Sequence, residues 1–392
     1  MTESKMLQQI AQKTEKREDG LMAAYATRNS EAVRRSAEPV PRYRPPFAID
    51  RDRIMYSGAF RRYTGKTQVV YFASLLDEQL TSRSLHTISV AQIAKTIGRM
   101  LSLNQDLIEA IALGHDLGHP PFGHDGEKFL SKQSRERGLG LFHHNIQSLR
   151  TVDVITKGGQ GLNLTFQTRD GIISHNGEVN DSILEPFPEK NETHIREYIE
   201  AMEAGEKVDT RPQTMEGCVV RITDTIAYIG QDIEDAIRIG LVKRESLPEP
   251  ATSVLGNSNG TIIETLVNDV VTMSYGKKYV RFSEKIAGAL FELKDFNYKF
   301  IYGSPRLKTN HVKIENGFRL LFAHFMDDLE NSRRDSEIFT HFLDTKNEKY
   351  LAENKPELLV RDFIAGMTDR YFTQLLKKIV IPDISGFELT KG

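Results

Sequence analysis

The fourteen residues from Gly114 to Glu127 read Gly-His-Asp-Leu-Gly-His-Pro-Pro-Phe-Gly-His-Asp-Gly-Glu, with three histidines and three carboxylates among them. Neutral imidazole and carboxylate together form the donor set of a hydrolytic metal centre. A further imidazole or carboxylate close by can move protons. For any one of these histidines, capping and hydrogen bonding within a polar turn is the plainer reading. The adjacent pair His115-Asp116 makes that reading the weaker one.

Such a site needs elements that aim it. The pattern becomes helical from Leu85: Val90, Ile93, Ile97 and Met100/Leu101 recur at spacings of three and four, with His86 on the same stripe. Asn104 is placed to cap a second helix whose buried face is Leu107, Ile108, Ile111 and Ala112. One further turn carries His115 and Asp116 inward before Gly118 and Pro120-Pro121 end it. His86 alone reads most simply as a satisfied core histidine. A third helix, Met215 to Ile239, has the apolar stripe Ile222, Ile226, Ile229, Ile233 and Ile237, and Asp224, Tyr228 and Asp232 recur every four residues on another face. Spacing by itself does not decide whether that face is a solvated stripe or a lined pocket.

The remaining chain is predicted to be mainly helical, giving an all-α fold. Residues 1–36 read as a helical arm and 39–46, rich in proline, as an extended connector. Short helices are expected from Gly126 and over 145–155, a strand or extended stretch over 162–166, and a surface helix within 185–212. Four more helices follow at 261–274, 282–296, 311–330 and 355–380. The division is an arm and connector at 1–50, a core at 51–245 and a helical region packed on it at 246–392.

Of 392 residues, 39% are hydrophobic and 27% charged, a globular composition. The formal charge of −2 carries no global argument about nucleic acid, although Arg61, Arg62, Lys66 and Arg83 gather basic charge ahead of His86. Cys218 is the only cysteine, which excludes an intramolecular disulfide and a cysteine-rich zinc cluster and fits a reducing compartment. There is no signal-peptide core and no apolar run of about 18 residues, so a soluble, cytoplasmic protein without a membrane span is expected.

The combination His86…His115-Asp116…Asp224 resembles the H…HD…D signature of HD-domain metal phosphohydrolases. Its surroundings resemble the dGTPase-like deoxynucleoside triphosphate triphosphohydrolases: Phe60 to Val69, Thr81 to His86, the opening stretch, His144 to Arg150 and Arg169 to His175. The resemblance covers residues 50 to 240 and fades beyond 300. It implies His86, His115, Asp116 and Asp224 as metal ligands, and His124 with Glu127 as catalytic histidine and acidic partner. It further implies Arg83, His119 and His144 on the triphosphate, Gln68 on the deoxyribose, Tyr228 and Asp232 in the sugar pocket, and Tyr302 at the base. Thr225, where vertebrate relatives carry lysine, and Tyr63, where bacterial ones commonly carry leucine, depart from the pattern.

The implied reaction cleaves a dNTP to the deoxynucleoside and inorganic triphosphate with a divalent metal (Mn, Mg, Fe, Co, Ni or Zn), and Arg62 or Lys66 would help hold the polyphosphate. As an i, i+3 pair on a helix, Glu127 would orient His124 and keep it basic. The resemblance also implies a homo-oligomer and a dNTP effector. An HD nucleotidase or phosphodiesterase of other specificity is the nearest alternative. Further off is a nucleotide-regulated protein that binds single-stranded nucleic acid through the basic residues before His86.

Overall fold

A computed structural model of the chain describes residues 3–39, 43–71, 77, 79–177 and 183–382. Among them the only β pairings are isolated bridges, Arg34 to Thr165, Thr67 to Ser82 and Leu184 to Val280, so the fold is all-α. The principal helices are α1 (Glu3–Leu21), α2 (Pro46–Met55), α3 (Arg83–Met100), α4 (Gln105–Gly114), α5 (Gly123–Glu136), α6 (His144–Arg150), α7 (Phe166–Ile173), α8 (Glu192–Ala204), α9 (Met215–Arg238), α10 (Asn259–Ser274), α11 (Glu284–Asn297), α12 (His311–Glu330), α13 (Pro356–Ala365) and α14 (Asp369–Val380).

Helix α4 is central because it is apolar almost all round. Leu107, Ile108, Ile111 and Ala112 are fully buried, and α2, α3, α7 and α9 pack around them. Caps set where the surrounding helices start. Ser82 accepts from the Leu85 amide, Asn104 from Leu107, Thr165 from Thr168 and Thr214 from Gly217. The α4–α7 approach requires glycine at Gly171, where a Cβ would stand 2.4 Å from Ile111 Cδ1.

A second core lies beyond α5. Phe122, Phe129, Leu130 and Phe142 pack there against Phe318, Phe322, Phe325, Phe363 and Phe372, which come from α12, α13 and α14. This core holds the turn that returns the chain toward the metal-donor region. Phe122 has a left-handed backbone (φ 64°), an unfavourable conformation for a bulky residue. Its amide donates to Asp369 Oδ1 at 3.0 Å, and its ring meets Phe372 edge-on.

Several boundaries differ from expectation. The segment 355–380 is two helices, because the Gly366–Thr368 turn intervenes and Thr368 recaps the chain by accepting from Tyr371. Within 185–212 only α8 is helical, and Gly205 closes it at φ 92°. The segment 145–155 is α6 followed by a wider turn over Thr151–Ile155, and a similar turn, Tyr298–Tyr302, follows α11. Residues 162–164 are irregular before Thr165 caps α7, and part of the expected 39–46 connector lies outside the described residues. Among the described residues no helix is long and apolar enough to cross a membrane.

Candidate metal centre and its imidazole cluster

His86 projects from the first turns of α3, His115 and Asp116 leave the end of α4, and Asp224 projects from the middle of α9. His86 Nε2 is 2.9 Å from Asp224 Oδ1 and 4.0 Å from Asp116 Oδ2. His115 Nε2 is 3.4 Å from Asp116 Oδ2 and 3.8 Å from Asp224 Oδ1. Donors bound to one ion at about 2.1 Å are separated by roughly 3–4 Å in tetrahedral or octahedral geometry, and His86, His115 and Asp116 form such a group with Asp224 beside His86. His115 supplies a second sign. Its Nδ1 donates to the Ala112 carbonyl at 2.7 Å, so Nε2, a buried atom with no hydrogen-bond partner, is the nitrogen a metal can take once its proton leaves.

Electrostatics agree with a cation site. Burial opposes ionisation of Asp116, yet His115 and Arg83 beside it hold its carboxyl well below the usual range. Asp224 is likewise held down against burial, by His86 and then His115. His115 is depressed by burial but pulled up to about 9 by Asp116 and Asp224, so an arriving cation displaces a proton.

Beside the donors lies a second cluster. The Glu127 carboxylate accepts from the His144 amide at 2.8 Å and from its Nδ1 at 3.0 Å. His144 stacks on His119 with centroids 4.0 Å apart, and its Nε2 is 3.2 Å from His175 Nε2. His175 donates from Nδ1 to the Ile172 carbonyl at 2.7 Å, so its Nε2 is an acceptor. His144 must then donate from both nitrogens, as an imidazolium paired with Glu127. Consistently, Glu127 raises His144 against the effect of burial, whereas burial and the charges of His115 and His144 lower His175 to about 3.

Not every expected residue stands where its type suggested. Glu127 hydrogen-bonds His144 rather than His124, which lies 3.6 Å away with its side chain 70% exposed. Arg83 is buried, pairs with Asp116 and donates to the Thr67 carbonyl. Lys66 was expected on the polyphosphate, but it is buried and donates to the His119 and Ala365 carbonyls, because the chain wraps its ammonium between two segment ends. Gln68 follows nearby with its Oε1 buried and unpartnered.

Farther along α9, Asp232 accepts from the Tyr302 hydroxyl at 2.5 Å. Burial, then Asp235 and Asp224, push its carboxyl up to about 8. Tyr228 and Tyr302 line a cavity of about 240 Å³ with Phe291, Asn297 and Tyr298. Of the three residues on that face of α9, only Tyr228 lines this cavity. Sequence reasoning passed over His175 and Asp369. His175 sat inside the block from Arg169 but carried no spacing signal, and Asp369 is separated from Thr67 by 302 positions.

Fold and donor cluster together are those of an HD-domain phosphohydrolase. The HD domain family matches residues 83–229, and the phosphohydrolase-associated domain matches 280–378. A "deoxyguanosinetriphosphate triphosphohydrolase-like protein" of Caldanaerobacter subterraneus subsp. tengcongensis is 38% identical over 370 residues, covering 94% of this chain and 95% of that one. The same-named protein of Desulfatibacillum aliphaticivorans is 37% identical over 385 residues, covering 95% and 98%. That of Bordetella pertussis is 32% identical over 391 residues, covering 89% and 94%. The chain belongs to the deoxyguanosinetriphosphate triphosphohydrolase-like family. A crystal structure of a hypothetical protein from Aquifex aeolicus aligns with 80% of this chain and 70% of its own at 17% identity, with a TM-score of 0.36, too low to carry an argument.

Proposed function

We propose that the chain hydrolyses deoxynucleoside triphosphates to the deoxynucleoside and inorganic triphosphate. The observation that supports this most is the convergence of His86, His115, Asp116 and Asp224 beside the Glu127–His144 pair. In this reading those four residues hold a divalent ion, for which Mn, Mg, Fe, Co, Ni and Zn all suit the mixed donor set. The ion, when bound, lowers the pKa of water and offsets charge on phosphorus.

The chain's own residues do the rest. Arg83 keeps Asp116 ionised and brings positive charge beside the phosphates. His119, whose Nδ1 is buried without a partner, offers a donor to phosphate oxygens, and the imidazolium of His144 stacked on it adds positive charge there. Exposed His124 hands a proton to the departing 5′ oxygen, with the Glu127 carboxylate 3.6 Å away to orient its ring. Gln68, Tyr228, Asp232 and Tyr302 meet the sugar and base, and Asp232, protonated at neutral pH, acts there as a donor.

The test is a panel of the dNTPs, singly and in mixtures, with Mn or Mg, in which released phosphates are resolved by ion chromatography. Triphosphate release is expected. Orthophosphate or pyrophosphate would instead mark a nucleotidase or phosphodiesterase. Binding of nucleotide without any product would mark a regulatory protein. Faster turnover in mixtures than in single substrates would identify a dNTP effector.

A further inference from the structure

One buried carboxylate outside the donor cluster holds two of its supporting segments at once. Asp369 is the first residue of α14. Its Oδ1 accepts from the Phe122 amide at 3.0 Å, and its Oδ2 accepts from the Thr67 hydroxyl. The turn that leads into α14 grips the same two segments. Lys66 donates to the Ala365 carbonyl at 2.9 Å and also to the His119 carbonyl. A Cβ at Gly65 would stand 2.8 Å from Thr368 Cγ2, so the contact there is close.

Each segment carries side chains of the site. Phe122 lies three residues after His119 and two before His124. Its left-handed backbone is one that a bulky residue avoids, so the turn depends on partners outside itself. On the other segment the Thr67 carbonyl accepts from Arg83 Nε at 3.3 Å and from Nη2 at 3.2 Å. Arg83 in turn pairs with Asp116, and Gln68 follows Thr67 directly. The two segments meet at Gly123, where φ is 56° and a Cβ would stand 3.3 Å from the Gln68 carbonyl oxygen.

We propose that Asp369 is a positioning residue for the reaction: its two hydrogen bonds let the C-terminal helices set the His119–His124 turn and the Arg83 guanidinium against the phosphates. This role rests on the reading of the chain as a dNTP hydrolase. A shift of about 1 Å in a reacting group can cost about a hundredfold in rate, so loosening a clamp two residues from His124 registers in turnover. The task asked of Asp369 is hydrogen bonding in a fixed shape, which an amide can take over. The amide oxygen accepts from the Phe122 N–H, and its NH2 group donates to the Thr67 hydroxyl oxygen.

The test compares the full chain as wild type, Asp369→Ala, Asp369→Asn and Thr67→Val. Turnover of dGTP with Mn is followed by ion chromatography, bound metal by elemental analysis and folding by thermal melts. Amide exchange across residues 119–124 is read by mass spectrometry. Asp369→Ala is expected to lower kcat by about tenfold to a hundredfold, more than it changes KM, with metal retained and exchange of the turn accelerated. Asp369→Asn should recover most of both losses, and Thr67→Val should fall between the two. If Asp369→Ala does not fold, Thr67→Val against Asp369→Asn decides. Folded variants with wild-type kcat and wild-type exchange overturn the role, as does an Asp369→Asn variant as slow as Asp369→Ala. Release of orthophosphate or pyrophosphate by the wild type would sink the triphosphate reading, while the same comparison made on that product still decides the role of Asp369. With no product from the wild type, exchange of the turn decides, and unchanged exchange in Asp369→Ala overturns it.

Discussion

The two sides of the turn after α4 pose opposite electrostatic problems. On one side the buried Asp116 and the half-buried Asp224 and Glu127 are carboxylates held ionised by neighbouring imidazole and guanidinium. On the other side Arg62 and Lys346 share a cavity wall with Asp362, and among the described residues neither pairs directly with a carboxylate. Both carry charge that burial penalises. The first is balanced within the protein; the second is offset by no direct ion pair among the described residues. Four residues of chain, His115 to Gly118, separate the two.

The comparison breaks first at Asp116. Asp116→Asn should abolish stoichiometric metal binding and strand the buried Arg83, and loss of such a partner costs about 3–5 kcal/mol. Elemental analysis and urea denaturation read the two effects separately. A variant that keeps its metal would remove Asp116 from the donor set.

The next effect is confined to turnover. His124→Ala should slow product release to triphosphate by about 10²–10⁴-fold with metal retained, and because the side chain is exposed, stability should change by less than about 0.5 kcal/mol. His144→Ala in the same assay sharpens the roles, since Glu127 hydrogen-bonds His144. If only the His144 variant is slow, the proton donor is misassigned.

Glu127→Gln tests the pairing itself. Glu127 raises His144, so removing the charge should move the His144 titration to lower pH, as read by NMR of the imidazole nitrogens. A raised histidine contributes stability that is present below its unfolded pKa and lost as pH rises through the folded value. The variant should therefore flatten that part of the stability–pH curve. An unmoved His144 titration would refute the ion pair.

The smallest effect at neutral pH belongs to Asp232→Asn, which replaces a protonated acid with an amide. With its folded carboxyl at about 8, Asp232 contributes stability that is present below the ordinary carboxylate pKa and lost as pH rises through about 8. Melts in EDTA should show the metal-free wild type losing stability across that window while the variant does not. Parallel curves would mean that Asp232 is ionised at neutral pH.

The legible part of the molecule was local. Helix α4 could be read from its stripe and from Asn104, and the observed cap is the one expected. The His115-Asp116 pair was legible because ligand chemistry needs those types side by side at a buried helix end. Helices α3 and α9 followed from apolar spacing, but His86 and Asp224, 138 positions apart, stayed ambiguous until packing brought Nε2 and Oδ1 to 2.9 Å.

Residue types and spacing by themselves determined most of the helices and the inward direction of His115 and Asp116, because periodicity and donor type act over a few residues. Only the tertiary structure decided partners. It gave Glu127 to His144, Arg83 to Asp116 and Lys66 to two carbonyls. Which charge meets which is set by the distances between helices, and those depend on side-chain packing across hundreds of positions.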